Sequence, residues 1–486
     1  MKKPLATLAL AAVPILLLSA CNGGSSSSGL TPKVPDVSST SVHRRMHHLD
    51  NGPQDLHAGG ADMPGYAYNL ASQPVGNYNQ SQAGPGQGSL FYAAPTTGTI
   101  YYCITGSTAG RNAFEGANDS KYPPTGPCAT LGQTATGFGG RQDPLDFTGS
   151  AVAMASTECC SSSTPYYQHR LQGSQTWGQP FEFPQIGAAI VLGFRPQDFT
   201  VSTIKLSTWT YCAISNGTVN DWNDAAITAD NGKSVTGGTS EPITFYFRGD
   251  GGATTYDYEN HLNTVCNVNW KTPYNTAPYQ GSARSAAWSF GVSSSWVGPG
   301  SSADPNPNFI GEQGDPGIIS AIQAQAFSTG YVTGGYVKAA TPKVGQAWLQ
   351  NGYKKGKGPY FIDPTKRANL TKSFVKVTAG AIQYGMGNDG NSLASSTPWC
   401  QLFIPTNTYV NPPTKSYPIV GVSYLLFYGQ NNGVHLSDKI ALIKFLESKS
   451  AVNIVNTLEY IPLSKSIQSA VLNALNGNSS QTACVQ

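Results

Sequence analysis

Two unbroken apolar runs, FPQIGAAIVLGF (183–194) and YPIVGVSYLLFYG (417–429), constrain the fold most. Neither alternates polar with apolar residues, so neither suits a strand with one wet face. Short runs of this kind fit strands buried in an α/β sheet. A third strand is expected within FYAAPTTGTIYYCITG, where Ile100 to Ile104 are apolar or aromatic. The clearest helix is SDKIALIKFLESKSAVNIVNTL (437–458), where Ser437 is a good N-cap and Ile440, Ile443 and Leu446 follow the helical period. After Pro462, the spacing of Ile467, Val471 and Leu475 predicts a second helix. Strands alternating with helices predict an α/β protein. Residues 271–316 and 345–400 are rich in Gly, Pro, Ser and Tyr and read as long loops or insertions.

The N-terminus reads as an export signal at residues 1–20. Lys2 and Lys3 precede an apolar stretch too short to span a membrane, and small residues lead to Cys21. Leu18-Ser19-Ala20-Cys21 is similar to the bacterial lipobox, which implies lipidation of Cys21. Asn22 in the next position points to the outer membrane. Nine cysteines are present. With Cys21 lipidated, eight remain: Cys103, Cys128, Cys159, Cys160, Cys212, Cys266, Cys400 and Cys484. Eight cysteines in an exported chain fit four disulfides of open connectivity. The adjacent Cys159 and Cys160 are expected to take different partners. Residues 21–88, rich in Pro, Gly, Asn, Gln and Ser, read as a disordered, lipid-anchored tether. His43, His47, His48 and His57 lie there without regular ligand spacing, so a spacer is expected and no metal site.

The 29 Lys+Arg against 26 Asp+Glu exclude a polybasic nucleic-acid binder. The chain lacks HExxH, GxSxG and Walker A signatures and has no GxGxxG at a strand–helix junction, so neither enzyme nor cofactor is expected. Only His169, His261 and His435 fall in the globular part. Two small-residue clusters stand out instead. Thr105 to Arg111 follows one strand-like run, and Phe247 to Thr255 follows PITFYF. Each puts hydroxyls and an Arg at a strand-to-helix turn, where backbone N–H groups and the positive helix end suit an oxyanion.

At these residues the chain resembles the phosphate-binding periplasmic proteins of ABC transporters. The resemblance runs through Ile186-Gly187, Ile214 to Gly217 and Asp221-Trp222-Asn223-Asp224. It continues through Pro242-Ile243, the Arg248-to-Thr255 loop, Tyr258 and His261-Leu262. Gly330-Tyr331-Val332, Tyr417 to Gly421 and Tyr460 to Leu463 complete it. It implies a type II periplasmic-binding-protein-like α/β fold of two lobes, with loop insertions and a disordered N-terminal tether. Lobe one would take residues 89–188 plus 410–486, and lobe two residues 189–409. Residues 183–194 and 417–428 would be the crossings. Ser107 and Thr108 would hold the ligand from lobe one, and Arg248, Gly252, Ala253 and Thr254 from lobe two. Two positions depart from the family. Its loop usually reads R-x-D-G-S-G-T-T, whereas Gly252 and Ala253 stand in the middle here. Its proton-accepting Asp has Ala151 as counterpart, with Asp143 and Asp146 nearby.

The first reading is therefore a lipid-anchored solute-binding protein for phosphate or a related oxyanion. It is located in the periplasm or at the outer membrane, with an ABC permease or self-assembly as further partnerships. The alternative is an outer-membrane surface protein, structural or adhesive, that reuses the fold. Glycan binding through the Tyr and Trp content ranks third, and a hydrolase fourth.

Overall fold

The computed structural model describes residues 55–70, 85–115, 145–161, 178–267, 277–279, 284–355 and 357–486. Residues 1–20, Cys21, Cys128, Asp143, His43, His47, His48 and His169 lie outside these. In chain order the strands are β1 (Leu56–Gly60), β2 (Ile100–Ile104), β3 (Phe147–Ser150), β4 (Phe181–Phe194) and β5 (Lys205–Leu206). They continue as β6 (Thr244–Arg248), β7 (Phe309–Glu312), β8 (Ser328–Thr333), β9 (Gly345–Gln346) and β10 (Trp348–Lys354). The last are β11 (Gly358–Ile362), β12 (Gln383–Tyr384), β13 (Leu402–Phe403), β14 (Val420–Phe427) and β15 (Ile461–Pro462).

The main sheet runs β2-β1-β3-β14-β4-β8-β6-β7. Both apolar runs lie at its centre as β4 and β14, and every residue of each strand is buried. β4 joins the two halves of the sheet. Its residues 181–189 pair antiparallel with β14, and its residues 190–194 pair antiparallel with β8. Parallel pairs lie on either side, β1 with β2 and β3, and β6 with β7 and β8. This is the expected two-lobe α/β architecture. Its strands need continuous hydrophobicity because helices and loops cover both faces. Gly187 leaves room for the Phe374 ring directly against the β4 backbone.

Four expectations need correction. The tether does not extend to residue 88, because Leu56–Gly60 forms β1, paired on both edges, and Gly65–Asn69 is helical. The predicted helix 437–458 is two helices, Leu436–Leu446 and Lys449–Thr457. Ser448, not Ser437, supplies the cap, accepting from Ala451 N, and this starts the second helix afresh. The helix after Pro462 is present as Lys465–Asn476, with Ile467, Val471 and Leu475 buried. Residues 383–404 do not follow the other lobe. Asn388 Nδ2 donates to Ala153 O at 2.6 Å, and Gln401 bridges Glu182 of β4.

The fourth correction concerns the cysteines. Cys159 and Cys160 pair with each other, and Cys160 takes a positive φ of 89°. Cys212–Cys266 ties the helix Thr208–Ser215 to the end of the helix Ala253–Val265. Cys400–Cys484 ties the β12–β13 region to the C-terminus. These two close 54 and 84 residues of chain, worth about 4 kcal/mol each in the chain-entropy account. Cys103 is also disulfide-bonded.

Candidate functional site

Arg248 is the last residue of β6, and its side chain is only 1 % exposed. A buried guanidinium needs counter-charge, and here three carboxylates supply it. Asp250 holds it bidentately, with Nε to Oδ1 at 2.6 Å and Nη2 to Oδ2 at 2.5 Å. Asp62 approaches Nη2 at 2.8 Å, and Asp315 approaches Nη1 at 3.4 Å. Asp62 follows β1 while Arg248 ends β6, so this ion pair joins the two halves of the sheet.

The turn carrying Asp62 is fixed by tyrosines from both halves. Tyr102, Tyr336 and Tyr460 donate their hydroxyls to the carbonyls of Ala61, Asp62 and Met63, at 3.0, 3.0 and 2.8 Å. Tyr331 similarly accepts from Arg248 N at 3.0 Å and meets Thr255 Oγ1 at 2.7 Å. The unusual frequency of Tyr thus has a local use: a buried ring with a hydroxyl satisfies a turn that no ladder serves.

The two predicted turns face each other. The helix Ser107–Phe114 starts directly after β2 and Gly106, and the helix Ala253–Val265 starts after β6. Gly106 has φ +86°, and a Cβ there would lie 3.3 Å from the Gly251 carbonyl oxygen. A Cβ on Gly251 would lie 3.6 Å from Thr108 Oγ1. Gly252 caps the second helix without a side chain, and a Cβ there would lie 2.9 Å from Arg248 Nη2. The guanidinium therefore fills the space a serine would need at this position. Thr254 Oγ1 is buried without a hydrogen-bond partner. Ser107 Oγ accepts from Ala151 N at 3.3 Å, tying the first helix to the end of β3.

Burial and charge pull the carboxylates apart. Burial pushes Asp62 up to about 7, against the pull of Arg248. Burial likewise raises Asp315, with Arg248 again opposing. For Asp250 burial also acts upward, but the guanidinium and its hydrogen bonds win and hold the group below the usual carboxylate range. Burial opposes the charge of Arg248 itself, yet Asp62 and Asp250 keep it firmly protonated.

Other sequence candidates serve structure. Asp146 accepts from His57 N at 2.7 Å and pairs with Lys439 Nζ at 3.3 Å, away from Arg248. Arg111 turns from the facing loops to Val152 O, Ala153 O and Glu158. Asp224 caps the helix Ala225–Asn231 and pairs with Arg284 at 2.9 Å. His261 lies between Tyr211 Oη and Val410 O, both at 2.9 Å, and burial lowers it to about 4. No group of three metal-ligating side chains occurs among the described residues.

Residues 105–447 match the family model of the PBP superfamily domain. This chain belongs to the PBP superfamily. Among curated superfamily proteins it is similar to the phosphate-binding protein PstS 2 of Mycobacterium tuberculosis. The two are 26 % identical over 380 residues, covering 76 % of this chain and 85 % of that one. It is also similar to the phosphate-binding protein PstS of Methanocaldococcus jannaschii, at 24 % over 277 residues. That match covers 55 % of this chain but only 58 % of the relative. A solved phosphate-binding protein from Stenotrophomonas maltophilia shares the fold with a TM-score of 0.55 and 19 % identity, covering 86 % of this chain and 93 % of that one. A high-affinity periplasmic phosphate-binding protein solved with phosphate has a TM-score of 0.56 and 18 % identity, covering 89 % and 96 %.

Of the six binding residues expected from sequence, all fall on the two facing turns of this PBP-superfamily fold. Sequence reasoning missed Asp62 and Asp315. One signal was available for Asp62: Leu56-His57-Ala58-Gly59-Gly60 is a short run ending in glycines before a helix start, as is Ile100 to Gly106. For Asp315, inside Gln-Gly-Asp-Pro-Gly, no signal was present.

Proposed function

We propose that this chain is an exported solute-binding protein, not an enzyme. It clamps phosphate or a related tetrahedral oxyanion between Ser107 and Thr108 on one side and Ala253, Thr254 and Arg248 on the other. The observation that carries this reading is Thr254 Oγ1, buried without a partner at a helix start packed beside a buried guanidinium. An unmet buried donor costs about 1–3 kcal/mol, which an oxyanion would relieve. The first-turn amides of the helix add donors and a positive end. Two-lobe closure excludes water, so these donors act at low dielectric.

The three carboxylates set a condition on the ligand. With all of them ionised, the cluster of one guanidinium and three carboxylates is net negative and repels a further anion. Protonation of Asp62 loosens its hold on Nη2, which stays bonded to Asp250, and turns a repelling group into a donor. Binding is therefore expected to strengthen as pH falls through about 7, the value to which burial lifts Asp62. Calorimetry with phosphate at pH 5.5 and pH 8 tests this. Tighter binding at the lower pH, lost in Arg248→Ala and weakened in Thr254→Val, is the expected result. No heat at either pH removes the reading.

A second reading is favoured by the saturation of Arg248. Its Nε and Nη2 donors already meet Asp250 and Asp62, which makes the pair an internal lock between the lobes. In that case the chain is a structural or adhesive surface protein without phosphate transport. Cleavage of the protein by protease added to intact cells, together with absent phosphate heat, would select it. Under either reading Cys21 carries the lipid anchor, supported by the lipobox-like Leu18 to Cys21. No helix among the described residues is long and apolar enough to cross a membrane. Cys21→Ala is expected to release the protein from membranes, and unchanged membrane association overturns the anchor. Under the first reading an ABC permease is the downstream partner.

A further inference from the structure

Between Lys343 and Lys376 the chain carries seven Lys and one Arg against a single acid, Asp363. This is a net +7 in a chain whose total is +3, so all the rest sums to −4. The segment folds as the antiparallel pair β10–β11 and the helix Arg367–Ser373. Lys357 N donates to Lys354 O at 2.9 Å, closing a hairpin end where Lys354, Lys355 and Lys357 are all exposed. Lys415 joins them from a neighbouring loop. Its N donates to Asn351 O of β10, and its ammonium lies 4.6 Å from the centre of the Tyr360 ring.

Among the described residues, no cation of this group forms an ion pair. Elsewhere Arg111, Arg195, Arg248, Arg284 and Lys338 each have a carboxylate. Gathering like charges without counter-charge adds nothing to the fold, so the patch serves something outside it. Its chemistry narrows the partner. Lysines dominate, and an ammonium is a compact point charge suited to a diffuse anionic layer rather than to a planar, bidentate ligand. Tyr353, 41 % exposed, sits beside the tip lysines and offers a ring with a polar end, as at a membrane interface.

We propose that the β10–β11 face docks on a layer of anionic lipid headgroups. Each lysine near such a surface contributes about 1 kcal/mol, falling off within a Debye length. The test is flotation of the full chain with vesicles of phosphatidylcholine, alone or mixed with phosphatidylglycerol, at low and high salt. The N-terminal segment with Lys2 and Lys3 is the same in every variant, so the difference between the two triple variants reads the hairpin alone. The expected result is a preference for phosphatidylglycerol that salt abolishes. Lys354→Glu, Lys355→Glu and Lys357→Glu combined should lower partitioning on the order of 100-fold. Lys444→Glu, Lys449→Glu and Lys465→Glu, all exposed, change net charge equally at another place and should retain most of it. Equal binding to both vesicle types overturns the proposal, as does equal loss in the two triple variants. Retention on a DNA duplex with no preference between vesicles also overturns it.

Discussion

The molecule uses positive charge in two opposite ways. At the interlobe turn one buried guanidinium is shared by Asp62, Asp250 and Asp315. At the β10–β11 hairpin a row of exposed lysines forms no ion pair among the described residues. In the first region low dielectric makes every contact strong and every loss of a partner costly. In the second, water and salt screen each charge, and only the sum acts at a distance. One kind of residue therefore produces geometry in the interior and long-range attraction at the surface.

The sharpest way to break this contrast is Arg248→Ala. It leaves the buried Asp62 and Asp315 and the partly exposed Asp250 without their cation, and removing one partner of a buried pair costs about 3–5 kcal/mol. Urea unfolding should show that loss. A change within experimental error would mean that water reaches the turn and that the region is not the low-dielectric site described.

How much of this was legible in the sequence follows the same division. β4 and β14 could be read because burial on both faces demands unbroken apolar runs. The Ser107 and Arg248 turns could be read because small residues and hydroxyls after a strand have few other uses. Asp62 could not, because β1 is five residues with two glycines inside a Pro- and Gly-rich flank. It is a strand only through long-range pairing with β2 and β3, which no local pattern encodes. The pairing of Cys159 with Cys160 was likewise misread from adjacency. The hairpin lysines were visible as letters, but near-neutral overall composition concealed their concentration.

A second prediction uses pH to separate the regions. Burial lifts Asp62 to about 7, and Glu115, Glu182 and Glu259 to about 8. A folded carboxyl raised above its unfolded value near 4 contributes stability that is complete at low pH and fades as pH climbs through the folded value. One extra proton held by the folded state gives a slope of about 1.4 kcal/mol per pH unit. His261, lowered to about 4, acts in the opposite sense and removes stability as pH falls below about 6.5. Above about pH 4 the four carboxyls outweigh the single histidine, so the thermal unfolding temperature should be highest near pH 4 and decline toward pH 8. The exposed hairpin lies outside these buried groups, so a triple-Glu hairpin variant should keep the same position of maximum stability.

Asp62→Asn sharpens the comparison at a single atom pair. If phosphate requires Asp62 neutral, at pH 8 the proton costs about tenfold in affinity for a group near 7. The variant should recover that factor at pH 8 and gain almost nothing at pH 5.5, flattening the pH dependence. An unchanged pH dependence would move its origin from Asp62 to another group.

The smallest expected effect lies at the hairpin. Lys354, Lys355 and Lys357 are exposed and bonded to no carboxylate, so replacing all three by Glu should alter unfolding stability by less than about 0.5 kcal/mol per site. A loss of several kcal/mol would show that the lysine stems pack as part of the fold. The hairpin would then resemble the Arg248 turn, and the contrast between a structural and a surface use of charge would fail.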